Sequence, residues 1–145
     1  IRSGLNDLRN LDARLKVSNT YESQAVGFEG PDFLNLVVML ETSNTLPGLV
    51  KILKRIEHHH GREPHLTKYS SRTLDIDVLT YDEFHGIYDG IVLPRPELRN
   101  NAYVLRPLAE LAPTMVLPGS TSTIASLWEE FAQKSQPLVE MSICW

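Results

Sequence analysis

The octet Arg72-Thr73-Leu74-Asp75-Ile76-Asp77-Val78-Leu79 gathers the residue types that phosphate chemistry uses. Leu74, Ile76 and Val78 alternate with Thr73, Asp75 and Asp77, a period of two that predicts a strand over 72–79. In a strand the two carboxylates share one face, roughly 6.5 to 7 Å apart along the chain. Like charges so placed oppose each other's ionisation unless a cation sits between them. Hard oxygen ligands at this spacing suit Mg²⁺, with water and substrate phosphates filling its remaining positions. Arg72 adds a forked donor matched to phosphate. An exposed Asp-x-Asp face on an edge strand, paired with nearby Arg or Lys, fits the octet equally well.

The elements that must position these residues belong to an ordinary globular composition. A chain of 145 residues is long enough to bury a core as one domain, 1–145, without disulfide or metal staples. The single Cys144 cannot form an internal bridge, which fits a reducing compartment and a cytoplasmic location. No apolar run approaches the ~20 residues that span a bilayer, so no membrane partner is expected. A net charge of −4 argues against general nucleic-acid binding. Basic residues are still concentrated between Lys51 and Arg106, where convergence would make a local anion site. The chain opens at Ile1 without a helix cap, and an element is expected upstream.

Taken in order, Ile1, Leu5, Leu8 and Leu11 keep helical spacing over 1–11. Leu15 to Ser23 alternates and predicts a strand, followed by a loop over 24–32 with Gly27, Gly30 and Pro31 as breakers. Phe33 to Glu41 is the most apolar run and predicts one central strand. Asn35 is the odd residue in it: a buried amide must be bonded, either to the neighbouring loop or to a ligand. Thr45 and Pro47 open a helix whose stripe is Leu49, Val50, Leu53 and Ile56, with Gly61 as its stop. His58, His59 and His60 then point three ways around the last turn, so a metal role is declined in favour of a solvated end.

A polar loop over 63–71 leads into the Asp-bearing octet, and a turn region holds Asp82, Gly86 and Gly90. A short strand Ile91-Val92-Leu93 follows, then a helix over 102–111 with Pro107 in its first turn and Pro113 at its end. Thr121 or Ser122 caps a last helix built on Ile124, Leu127, Trp128 and Phe131. This order of strands and helices predicts an α+β sandwich without internal repeats.

Several stretches together resemble hydroxymethyl-dihydropterin pyrophosphokinases, folate-pathway enzymes that move a diphosphate from ATP to a pterin alcohol. They are Pro31-Asp32-Phe33-Leu34-Asn35, Arg55-Ile56-Glu57 with Gly61-Arg62, the Arg72–Asp77 run, Leu93-Pro94, and Tyr103-Val104-Leu105-Arg106-Pro107-Leu108 with Glu110 and Ala112-Pro113. The resemblance runs from about Leu15 to Pro118. It implies a ferredoxin-like βαββαβ core with extra C-terminal elements, the first strand missing from this chain.

By the same resemblance, Asp75 and Asp77 hold two Mg²⁺ ions that bridge the phosphates of ATP, the co-substrate. Arg62 and Arg72 match basic residues that contact the nucleotide or the transferred group, and Glu57 matches a residue near the nucleotide. Phe33 and Tyr103 match the aromatic pair that sandwiches the pterin, and Asn35 the amide that recognises its edge. Ser23 and Val26 fall in a loop whose backbone touches the pterin, and Tyr69 in the mobile catalytic loop. A monomer acting on small molecules is expected.

Several positions depart from the pattern. Pro94-Arg95 stands where the family has Pro-His, and Asn101 stands where it has Arg. Pro64 replaces a second loop Arg, and Gln24-Ala25 replace a Pro. Arg95 keeps a charge suited to phosphate and joins the nucleotide-binding candidates. The departures leave room for a diverged paralogue that binds nucleotide or pterin with little transfer. A ferredoxin-like interaction module without ATP chemistry is the third reading, and it would survive an Asp75→Asn, Asp77→Asn pair.

Overall fold

The computed structural model describes residues 2–12, 14–23, 33–60, 74–132 and 139–141, which form an α+β fold. The chain divides into two units, one comprising Ile1–Leu15 and Leu40–Val78, the other Lys16–Met39 and Leu79–Cys144.

The first unit is helical where its elements are regular. Helix α1 (Arg2–Leu11) buries Leu5 and Leu8, and α2 (Leu46–His59) buries Leu46, Leu49, Val50, Leu53 and Ile56. The two stripes pack against each other, and each buried Leu or Ile contributes about 1.5–3 kcal/mol relative to exposure. Thr45 caps α2 as its sequence predicts, its Oγ1 accepting the N–H of Gly48 at 3.3 Å. The expected stop at Gly61 lies outside the described residues. His58 and His59 are exposed, while His60 turns its Nε2 onto Oδ2 of Asp7 in α1. Beyond α1, Asp12 accepts the N–H of Glu41 at 2.8 Å and that of Arg14 at 2.9 Å.

The second unit corrects two expected strands. Leu15–Ser23 is not one strand but β1 (Lys16–Val17) and β2 (Thr20–Ser23). Phe33–Glu41 likewise divides into β3 (Phe33–Asn35) and β4 (Val38–Met39). Ser18 and Val37 sit at the two breaks and bond each other, Ser18 N–H to the Val37 carbonyl and Val37 N–H to Ser18 Oγ, each at 2.9 Å. A side chain thereby takes a place that a ladder carbonyl would hold, and the pairing changes partner there. On one side β1 pairs antiparallel with β4; on the other β2 pairs antiparallel with β3, Tyr21 opposite Asn35.

Further along, β5 (Gly86–Tyr88) and β6 (Ile91–Leu93) form a hairpin, so the expected turn region at Gly86 contains a strand. Asp89 and Gly90 make its two-residue loop with φ of 48° and 80°, the turn chemistry that Asp-Gly favours. A short helix α3 (Glu97–Asn100) precedes α4 (Ala102–Leu111) and α5 (Ile124–Ala132). Pro107 is inside α4, not in its first turn. It cannot donate to the carbonyl of Tyr103 four residues back, but it is fully buried there. The cap of α5 is Thr123, not Thr121 or Ser122: its Oγ1 accepts the N–H of Ser126 at 3.1 Å. A last strand β7 (Val139–Met141) completes the order β3-β2-β7.

The core of this unit gathers Val37, Leu98, Leu105, Leu108, Leu117 and Ile124, with Leu127, Trp128 and Phe131 packed against it. Helices α4 and α5 pack together, and α4 also lies on β2. Among the described residues no helix is long and apolar enough to cross a membrane.

Candidate functional site

The carboxylate pair belongs to the first unit. Leu74 to Val78 lie outside every strand of the described residues, which corrects the expected strand over that part of 72–79. The alternation that suggested it is nevertheless real: Leu74, Ile76 and Val78 are half-buried, and Asp75 and Asp77 are exposed. The backbone is held by a side chain instead of a ladder. Glu57, in the last turn of α2, accepts the N–H of Ile76 on its Oε1 at 2.7 Å. A short bond to a charged acceptor is among the stronger hydrogen bonds in proteins, and it fixes the peptide between the two aspartates.

Two exposed carboxylates two residues apart present hard oxygen donors with solvent access. They fit Mg²⁺, which takes its remaining ligands from water and phosphate. Among the described residues there is no cluster of three or more His, Cys, Asp or Glu that would hold a metal by itself. Arg62, Arg72, Pro64 and Tyr69, with the loop over 63–71, lie outside the described residues, as does Val26.

The second unit carries the remaining candidates. Asn35 is half-buried on β3, and its Nδ2 donates to the Tyr21 carbonyl across the ladder at 3.4 Å. Ser23 and Phe33 face each other in register two pairs further along the same ladder. Tyr103 is half-buried in the first turn of α4. Asn101 precedes it in extended backbone and opens the helix, its carbonyl accepting the N–H groups of Val104 and Leu105. Arg95 has its Nη1 3.4 Å from Glu97 Oε1, and its backbone N–H donates to Leu79 at 2.9 Å.

The same unit holds a cavity that the sequence does not announce. Asn19, Tyr21, Arg106, Ala109, Glu110 and Trp128 line about 350 Å³ of open space. The Arg106 guanidinium lies 5.2 Å from the centre of the Tyr21 ring and 5.8 Å from that of Trp128, cation–π distances on both. Glu110 accepts the backbone N–H of Asn19 at 3.1 Å. Arg106, Ala109 and Glu110 follow helical i, i+3, i+4 spacing, but nothing local shows that Tyr21 and Trp128 close around them.

Residues 1–113 match the model of the 7,8-dihydro-6-hydroxymethylpterin-pyrophosphokinase family. The chain belongs to that family. Members similar to it include three proteins named 2-amino-4-hydroxy-6-hydroxymethyldihydropteridine pyrophosphokinase. The one from Synechocystis is 37% identical over 115 residues, covering 79% of this chain and 58% of that protein. The one from Haemophilus influenzae is 34% identical over 116 residues, 79% of this chain and 71% of that protein. The one from Bacillus subtilis is 33% identical over 97 residues, 66% of this chain and 58% of that protein. This pyrophosphokinase-family chain thus spans from 58% to 71% of the length of these relatives.

Proposed function

We propose that the chain transfers diphosphate from ATP to 6-hydroxymethyl-7,8-dihydropterin, releasing AMP, as a cytoplasmic, monomeric, single-domain enzyme of folate biosynthesis with a ferredoxin-like core. Family membership over 1–113 is the observation that carries this reading, and the names of the similar proteins supply the reaction. Phosphoryl transfer needs positioning and charge stabilisation more than a protein nucleophile, which agrees with candidates rich in Asp and Arg and without an activated Ser or Cys.

In the first unit Asp75 and Asp77 would hold the Mg²⁺, two ions by family resemblance. When bound, Mg²⁺ neutralises phosphate charge and orients the transferred group. Arg62 and Arg72 would bind phosphate and Glu57 would act near the nucleotide. In the second unit Phe33 and Tyr103 would stack on the flat pterin, and the Asn35 amide, a donor and an acceptor at once, would read its edge. Ser23 and Val26 would contribute backbone to the pterin, and Arg95 would bind nucleotide phosphate. The pterin hydroxymethyl oxygen bonds to the β-phosphorus, the bond from that phosphorus to the bridging oxygen of AMP breaks, and the hydroxyl proton passes to solvent.

The test is AMP formation from ATP, Mg²⁺ and hydroxymethyl-dihydropterin, beside an Asp75→Ala, Asp77→Ala variant. Pterin-dependent AMP that vanishes in the variant is the expected result. Substrate binding without AMP would favour the second reading, a diverged paralogue. That reading is supported by Arg95 lying against Glu97 and by Asn101 opening α4 where the family has Arg. Turnover at roughly 1 s⁻¹ or above would overturn it.

A further inference from the structure

We propose that Glu57 is a positioning residue for the aspartate pair, acting through the Ile76 peptide and not through its own charge. The proposal rests on the reading of Asp75 and Asp77 as the metal-holding carboxylates. A carboxylate pair needs a fixed backbone to present both oxygen sets at one spacing, and a β-ladder is the usual way to fix one. Leu74–Val78 lie outside the strands of the described residues. The bond from Ile76 N–H to Glu57 Oε1, at 2.7 Å, stands at the midpoint between the aspartates.

Both partners of that bond are themselves braced. Glu57 lies three residues before His60, which is held by Asp7 of α1. Two residues before Ile76, Leu74 meets the same helix: a Cβ added at Gly4 would lie 2.8 Å from Leu74 Cδ2, so the Leu74 side chain would have to shift to admit one. The aspartate segment is therefore packed against α1 and hydrogen-bonded to α2. Groups that orient metal ligands from behind typically matter 10- to 100-fold for affinity.

Two substitutions separate hydrogen bond from charge. Glu57→Gln keeps an Oε1 acceptor and loses the charge; Glu57→Ala loses both and is favourable in a helix. The probe is Mn²⁺, titrated by electron paramagnetic resonance into the full chain with a non-hydrolysable ATP analogue. Amide exchange at Ile76 is followed alongside, and a thermal melt confirms that each variant folds. Glu57→Ala is expected to weaken Mn²⁺ binding about 10-fold or more and to expose the Ile76 amide to exchange. Glu57→Gln should keep the amide protected and hold Mn²⁺ affinity well inside the roughly 10-fold loss that marks a missing positioning group.

Equal losses in both variants would overturn the proposal and make Glu57 a charge partner of the site. A folded Glu57→Ala with wild-type Mn²⁺ affinity would overturn it too. Absence of Mn²⁺ binding by the wild-type chain would remove the metal reading itself. That failure is distinguishable because it appears before any substitution is made.

Discussion

Ser18 and Val37 hold each other by two hydrogen bonds of 2.9 Å, one from backbone to backbone and one from the Val37 N–H to the Ser18 hydroxyl oxygen. The hydroxyl donates in turn to the Asn19 carbonyl at 2.8 Å. Both residues are buried, at 7% and 8% exposure, so no water substitutes readily for a lost partner. Ser18→Ala would strand the Val37 N–H, and leaving a buried donor unsatisfied costs about 1–3 kcal/mol. An unfolding free energy lowered by that amount in urea titration, with faster exchange at the Val37 amide, is expected. Unchanged exchange at Val37 would show that the hydroxyl is dispensable.

The break at Ser18 also explains what the sequence conceals. Alternation in Leu15–Ser23 and apolarity in Phe33–Glu41 are local signals, and they locate extended chain correctly. They do not say that a hydroxyl from one run will meet an N–H of the other 19 residues away. The helices of the first unit were legible because Leu5 and Leu8, and Leu49, Val50, Leu53 and Ile56, carry their burial in their spacing. Asp89-Gly90 was a readable hairpin signal for β5, whereas α3, at four residues, is too short to show a period. The aspartate pair was visible as chemistry, but the Glu57 to Ile76 bond that stands in for its ladder is a tertiary contact with no local trace.

Gly119 and Gly90 share a φ of 80°, a left-handed conformation, but not their surroundings. A Cβ at Gly119 would lie 2.5 Å from His85 Cε1 and 3.1 Å from Nδ1, whereas one at Gly90 meets nothing within 4 Å. Gly90→Ala should therefore cost only the backbone preference, about 1–2 kcal/mol. Gly119→Ala should cost that and the displacement of His85 as well. His85 is exposed and can swing away, so His85→Ala in the Gly119→Ala background should recover the difference between the two glycine variants and no more. Equal urea midpoints for the two single variants would remove His85 from the account.

Asp12 gives the first unit an acid sensitivity with a definite sign. The N–H of Glu41, and after it that of Arg14, hold its carboxyl below the ordinary value of 3.8. A group whose folded value is depressed contributes stability that is fully present above its unfolded value. The contribution is lost as pH falls through the lower folded value. The difference in urea midpoint between wild type and Asp12→Asn should thus be constant above pH 3.8 and shrink below it. The donors to Asp12 are backbone N–H groups, so added salt should change it little; the nearby Arg14–Glu41 pair, more than four-fifths exposed on both sides, is the screened one. A difference that persists undiminished to pH 2 would assign the destabilisation to packing.

Gly4 poses a contest between two terms of similar size. It is buried in the first turn of α1, where Ala is the better helix former by up to about 1 kcal/mol. Against that, its Cβ would lie 2.8 Å from Leu74 Cδ2, and forcing Leu74 off its rotamer costs of order 0.5–1.5 kcal/mol. Gly4→Ala alone should leave stability within about 1 kcal/mol of wild type, because the terms nearly cancel. In a Leu74→Ala background the clash is gone and the helix term remains, so the same substitution should stabilise. A double-mutant cycle should give a coupling of at least about 0.5 kcal/mol, the size expected of residues in contact. Additive behaviour would mean that Leu74 moves aside without cost, and that α1 does not fix the backbone leading into Asp75.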